Sequence, residues 1–315
     1  MNVGYKSENN SEQQVTVLEY RSNQNEKYVV WHIEGGLGKN IAATSLIEDV
    51  IKKYHDRKLV MVVSYPEIFL NNPHIYRVYR VGMTSYFYDD FVNGKDTIIF
   101  RHDPYFQSDH ITKKKHLIHN WCDLLGIEYK EQLPVFYPNA IQKNLVQNFL
   151  REKPILLIQT NGGSMNQGYN YSWSRDIPYG IALGVAERFK NTHHIVQVAK
   201  PNSQLIPFAE HYVQPMTNFE YLSLLAASEK RLLIDSSLQH AAAGMGLKST
   251  VLWIGTSHVN YGYKFHNNIV ANPPKGTMKS IDSYIFDYFF DGIVHECPYN
   301  DQSEIFNLNE VIKNI

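Results

Sequence analysis

The stretch LLIDSSLQHAAAGMG at 232–246 places an acid, two hydroxyls and an imidazole where an apolar run gives way to small residues. Asp235 ends the apolar run, Ser236 and Ser237 follow, and His240 falls one helical turn later. A serine at such a junction caps a helix, whose first amides lack partners and carry the positive end of its dipole. Such a helix start can hold an anion, and a diphosphate suits amides, serine hydroxyls and a nearby histidine. Ala241, Ala242, Ala243, Gly244 and Gly246 keep the helix slim enough to pack tightly on a sheet. The same residues also fit a purely structural arrangement, with serine as cap, Asp235 in a turn and His240 in the core.

Two glycine loops carry a similar potential. EGGLGKN at 34–40 supplies Gly35, Gly36 and Gly38 ahead of Lys39, and NGGS at 161–164 supplies Asn161, Gly162, Gly163 and Ser164. Glycine lets backbone amides approach an anion and tolerates positive φ. Neither loop has the spacing of a Walker phosphate loop or of G-x-G-x-x-G, which argues against a nicotinamide enzyme. A tight turn, or close approach of an acceptor to the backbone, explains Gly35, Gly36 and Gly38 as well.

These loops need strands before them and helices after them. Short apolar runs read as buried strands at YVVWHI 28–33, KLVMVV 58–63, DTIIFRH 96–102, PILLIQT 154–160, HIVQVAK 194–200, RLLID 231–235 and STVLWIG 249–255. A further strand, VTVLEY at 15–20, is expected as a hairpin partner of the first of these. Helical spacing marks 41–54, 114–127, 178–189, 218–228 and 237–246, and again 281–293 and the last dozen residues. Gly126 should end the second helix and Asn218 should cap the fourth. Strands alternating with helices imply right-handed units and parallel sheets, with ligands beyond the C-terminal strand ends. The rhythm restarts near residue 154. The fold class expected is α/β, with two doubly wound Rossmann-like domains facing a crevice. The division is a polar segment at 1–27, a first domain at 28–150 and a second at 151–315. The C-terminal helices could pack back across the boundary.

Composition narrows the field. The chain has 315 residues and a formal net charge of -1, so nothing pulls it globally toward nucleic acid or an anionic membrane. KKK at 113–115 is the only dense basic run, and it reads as a solvated helix face. Two cysteines are too few for a disulfide framework, and the polar N-terminus lacks a signal-peptide core. No stretch approaches a transmembrane length, and a cytoplasmic location is expected.

LLIDSSLQHAAAGMGLKSTVLWIGTS resembles the signature of glycosyltransferase family 9, the heptosyltransferases. The family carries Asp-Ser-Gly-x-x-His-x-Ala-Ala and then an apolar strand ending Phe-Gly-x-Thr; here Asp235, Ser236, His240, Ala242, Ala243, Gly255 and Thr256 match. Ser237 and Ile254 replace the usual Gly and Phe. GGLGKNIAATSLIEDVIKKY is similar to the family's opening loop and helix, and YSWSRDIPYGIALGVAERF loosely resembles its Lys-x-Trp-Pro segment. The resemblance implies a two-Rossmann (GT-B) glycosyltransferase. Its second domain would bind a nucleotide-diphosphate sugar and its first a hydroxyl acceptor, a glycan or lipid-linked sugar. No cofactor and no metal are expected, because helix amides and cations neutralise the leaving diphosphate.

A further departure from the family touches the chemistry. The family's general-base aspartate follows the opening glycines, and here Lys39 stands there. The base must then lie elsewhere. Asp103, at the end of an apolar run with Arg101 and His102, is the first candidate and Glu34 the second, followed by Asp109 and His110. Lys39 could instead contact donor phosphates. Arg175 and Lys200 are the donor-side cations, and Trp173 could stack on a base or sugar. Three alternatives remain: transfer to a modified DNA base, so that nucleic acid is not excluded as a partner; a two-Rossmann sugar-nucleotide epimerase; and a non-catalytic nucleotide-sugar-binding module.

Overall fold

The computed structural model describes residues 26–162, 174–201, 203–213, 216–274, 297 and 299–315, together with two short strands near the N-terminus. Those strands, β1 (Tyr5–Lys6) and β2 (Val17–Leu18), pair antiparallel with each other. The expected hairpin between the 15–20 segment and the next strand is therefore replaced by this local one.

The first lobe begins with β3 (Lys27–Ile33), whose KYVVWHI is buried at almost every position, as a strand covered on both faces must be. It continues through α1 (Leu37–Ala43), α2 (Ile47–Lys53), β4 (Lys58–Val63), β5 (Ile75–Arg80), α3 (Phe87–Phe91), β6 (Asp96–Phe100), α4 (Ser108–Ile111) and α5 (Leu117–Leu125). The sheet order is β5-β4-β3-β6, all parallel. The helix expected over 41–54 starts earlier and breaks at Thr44–Leu46 into a 3-10 turn. There the Thr44 and Ser45 hydroxyls donate to the carbonyls of Ile41 and Ala42, both at 2.7 Å. Hydroxyls that bond back to the preceding turn compete with the helical ladder. Gly126 adopts φ +61 and ends α5 as expected. The KKK run is not a helix face: it links α4 to α5, and Lys115 pairs with Asp109 at 3.0 Å and Asp123 at 2.7 Å.

The connecting helix α6 (Ala140–Leu145) carries a full capping box from Asn139 and Gln142. The second lobe then runs β7 (Ile155–Gln159), α7 (Tyr179–Phe189), β8 (His194–Val198), β9 (Glu210–Tyr212), α8 (Asn218–Ala227), β10 (Ser228–Ile234), α9 (Ser237–Gly244), β11 (Thr250–Trp253), α10 (His258–Tyr261), β12 (Asn267–Val270) and α11 (Leu308–Asn314). Its sheet order is β12-β11-β10-β7-β8-β9, again all parallel. Thr217, not Asn218, caps α8, because its hydroxyl accepts from the Glu220 amide and Glu220 reaches back. The last helix stays on its own lobe. Leu308 packs over Gly184 of α7, and Val311 joins the core beneath. The helix expected at 281–293 lies outside the described residues.

The lobes meet through α1 and α9, which pack directly on one another. One apolar cluster runs through this seam, joining Trp31, Ile41 and Leu46 to Leu238, Ala242 and Trp253. Beside the seam the strand ends of both sheets leave a cleft. Among the described residues no helix is long and apolar enough to cross a membrane.

Candidate functional site

The cleft encloses about 790 Å³. The first lobe contributes Glu34, Gly35, Gly36, Gly38, Lys39 and Asp103 to its walls. The second contributes Gly162, Arg175, Lys200, Asp235, Ser236, Ser237 and His240. Residues chosen from separate segments of the sequence thus converge on one space. A smaller cavity of about 220 Å³ opens beside it in the first lobe, sharing Glu34, Lys39 and Asp103 and adding His32, Arg101, His102 and Trp121.

On the second lobe, Ser236 is the N-cap of α9, accepting from the Leu238 amide at 3.3 Å and donating to Gln159 Oε1 at 2.6 Å. The helix start is thereby fixed to the end of β7, with Ser237 in its first turn facing the cleft. Asp235 is only 7% exposed, and burial raises its pKa while the nearby Arg175 guanidinium opposes the rise. His240 lines the cleft but brings no positive charge to it. Its Nδ1 sits 2.8 Å from the Tyr263 hydroxyl, and burial pulls its pKa down to about 3. At neutral pH it is an uncharged wall.

Several glycines turn out to have packing reasons. A Cβ on Gly38 would lie 3.0 Å from His240 Cδ2, so α1 and α9 approach only because that side chain is missing. The Gly162 amide donates to Asp176 Oδ1 at 3.1 Å, and the Asn161 amide group donates to Asp176 Oδ2 at 2.7 Å. The loop after β7 is therefore organised by Asp176 rather than left open for an anion. Gly255 and Thr256 do not line the cleft. The Gly255 amide donates to the Ser174 carbonyl at 2.7 Å, and a Cβ there would strike Ser174 at 2.8 Å. Their place is behind the cleft, supporting the segment that carries Arg175. Gly163, Ser164 and Trp173 lie outside the described residues.

Asp176 was not legible as a site residue. Burial raises its pKa, while Asn161, Gly162 and the two donor-side cations chosen from sequence, Lys200 and Arg175, pull it back. Its adjacency to Arg175 in the chain was the only available signal.

On the first lobe, the Lys39 ammonium lies 2.6 Å from Asp103 Oδ2, its side chain only 5% exposed. The other oxygen, Oδ1, accepts the Tyr105 amide at 3.0 Å and caps the short 3-10 turn 104–106. Lys39 also lies 4.7 Å from the centre of the Tyr105 ring. Glu34, the second candidate, is tied to Arg101 at 3.0 Å. Asn40 donates to the carbonyls of Gly35 and Gly36 and holds the loop in place. Asp109 pairs with Lys115, and His110 is buried against Tyr105; neither lines the cleft or the smaller cavity beside it. No group of three or more metal-binding side chains occurs among the described residues.

No protein-family profile and no curated protein matches the chain. Solved structures do. A glycosyltransferase family 9 protein from Veillonella parvula DSM 2008 aligns with TM-score 0.64 at 15% identity, covering 92% of this chain and 95% of that one. The E. coli ADP-heptose lipopolysaccharide heptosyltransferase II aligns with TM-score 0.58 at 11% identity, covering 79% and 91%. The E. coli heptosyltransferase WaaC with ADP aligns with TM-score 0.52 at 12% identity, covering 78% and 93%. The architecture is a two-lobed α/β fold with two parallel sheets. More particularly, it is the fold shared by the structures of glycosyltransferase family 9 and the heptosyltransferases.

Proposed function

We propose that this protein is a glycosyltransferase that moves a sugar from a nucleotide-diphosphate donor to an acceptor hydroxyl. One observation carries the reading: the capped start of α9, with Asp235 beside it, faces the Lys39–Asp103 pair across a single cleft. In this reading the diphosphate lies at the α9 amides, flanked by Arg175 and Lys200. Asp103 accepts the proton of an acceptor hydroxyl held in the first lobe, in a glycan or lipid-linked sugar. The hydroxyl oxygen bonds to the anomeric carbon, and the bond from that carbon to the donor diphosphate breaks. A single displacement inverts the configuration. The nucleotide sugar is a substrate, and neither metal nor cofactor is called upon.

The test begins with a thermal-shift screen of nucleoside diphosphates and nucleotide sugars on the full chain. A selective ligand should raise Tm by mass action. Asp235→Ala should abolish that shift, whereas Asp103→Asn should keep it and lose turnover about 10²-fold or more. Full turnover in the Asp103 variant would remove this base. Binding without turnover in the unmodified protein would favour a non-catalytic module, and an epimeric nucleotide sugar as product would favour an epimerase.

A further inference from the structure

Lys39 and Asp103 are 64 positions apart in sequence and form an ion pair at 2.6 Å. The lysine is buried and the aspartate is partly open to the cleft, at 5% and 32% side-chain exposure. A buried ammonium is tolerated only beside a counter-charge. The loop is built to admit this lysine: Gly35 has φ +111, and a Cβ there would lie 3.1 Å from Lys39 Cδ. The residue before it, Gly38, abuts the first turn of α9, its Cβ position 3.4 Å from Ser237 Cα. Lys39 thus pairs with the carboxylate on the acceptor side and lines the same cleft as Ser236 and Ser237 at the helix start on the donor side.

Resting on the transferase reading, we propose that Lys39 is a shared cation that is handed from Asp103 to the donor diphosphate during the reaction. Before the step, Asp103 carries the negative charge and Lys39 answers it. As the acceptor O–H proton moves to an Asp103 oxygen, that carboxyl becomes neutral. The acceptor oxygen bonds to the anomeric carbon, and the electron pair of the breaking bond leaves with the diphosphate. One negative charge thus vanishes on one side of Lys39 while one grows on the other. The ammonium follows the charge and keeps a partner throughout. The other groups facing Asp103 do not replace it in this role. Glu34 and Arg101 are engaged with each other at 3.0 Å. His32 at the end of β3 is held toward its neutral form by burial. His110, behind Tyr105, is pushed down to about 4. His102 lines the smaller cavity, and Arg175 and Lys200 face Asp103 from the opposite wall.

A binding cycle tests this without needing the acceptor. ADP and UDP are titrated calorimetrically into the full chain and into Lys39→Met, Asp103→Asn and the double variant. Asp103→Asn removes the competing carboxylate, so the better of the two diphosphates should bind about tenfold more tightly than to the unmodified protein. Lys39→Met should cancel that gain in the Asp103→Asn background and cost at least fivefold less when Asp103 is present. Lys39→Arg combined with Asp103→Asn should retain most of the gain. Equal costs of Lys39→Met in both backgrounds, or no gain in Asp103→Asn, would overturn the handover while leaving the transferase reading intact. Failure of ADP, UDP and every other nucleoside diphosphate to bind any of the folded chains would overturn both. Should Lys39→Met alone fail to fold, the comparison of Asp103→Asn with the unmodified protein still decides.

Discussion

Gly38 and His240 meet across the lobe seam at a distance that only a glycine permits: a Cβ on the former would sit 3.0 Å from Cδ2 of the latter and 3.4 Å from Ser237 Cα. The contact joins the acceptor-side loop to the donor-side helix. A change at this point is felt by both lobes.

Gly38→Ala should therefore destabilise the protein although alanine is the better helix former. Alanine gains roughly 1 kcal/mol of helix propensity. The overpacking at a buried ring and backbone costs about 1–3 kcal/mol. A net loss of about 1 kcal/mol should appear as a Tm lower by a few degrees. Gly36→Ala is the control. It meets nothing within 4 Å and has φ -68, so its Tm should stay within about a degree. Equal behaviour of the two variants would deny the seam its tight fit.

Four histidines buried near the seam make the fold acid-sensitive. Burial lowers His110, His116 and His266 to about 4 and His240 to about 3. Each is neutral in the folded state and protonates more readily once unfolded. A depressed folded pKa means the stabilisation is fully present above pH 6.5 and is lost as pH falls toward 4. Near pH 5 each group should cost on the order of 2 kcal/mol. The urea midpoint should thus fall steeply between pH 7 and pH 5, before most carboxylates titrate. A flat midpoint over that interval would contradict the assignment of these four as buried and neutral.

Asp176 should matter through the loop it holds. Asp176→Ala leaves the Gly162 amide without its partner at 3.1 Å and releases Asn161. Loss of a buried acceptor of this kind costs about 1–3 kcal/mol. Nucleotide affinity should drop at least tenfold by calorimetry, because Asn161 and Gly162, which Asp176 holds, form part of the cleft wall. Asp176→Asn keeps one acceptor oxygen for the Gly162 amide and should recover part of the loss. Unchanged affinity in the alanine variant would place the donor away from this loop.

What the sequence made legible followed from burial. The buried stretches of β3, β4, β7, β10 and β11 are covered on both faces and read as short apolar runs, YVVW, LVMVV, ILLI, LLI and VLW. β5 escaped because it is a sheet edge, and its IYRVYR carries an arginine at every third position over a half-open surface. The short strands β9 and β12 were also missed; they too are edges. At the site, Asp235 and Ser236 were readable because a strand-to-helix junction keeps them adjacent in the chain. The Lys39–Asp103 contact was not, since only the pairing of β3 with β6 brings the two loops together. Nor could spacing show that His240 is buried and neutral. That depends on Tyr263, which arrives from beyond β11.

The way α11 is fastened has a consequence for biosynthesis. The Asn314 carbonyl accepts from Thr250 at 2.5 Å and from Asn267 at 2.7 Å, and Lys230 reaches the Ile315 carbonyl at 2.8 Å. Three of the second sheet's strands are thus clasped from below by a helix translated long after them. A ribosome-bound chain that has not yet released residues 308–315 leaves uncovered the part of that sheet's underside not shielded by α7. The second lobe completes its packing only when this closing helix is in place.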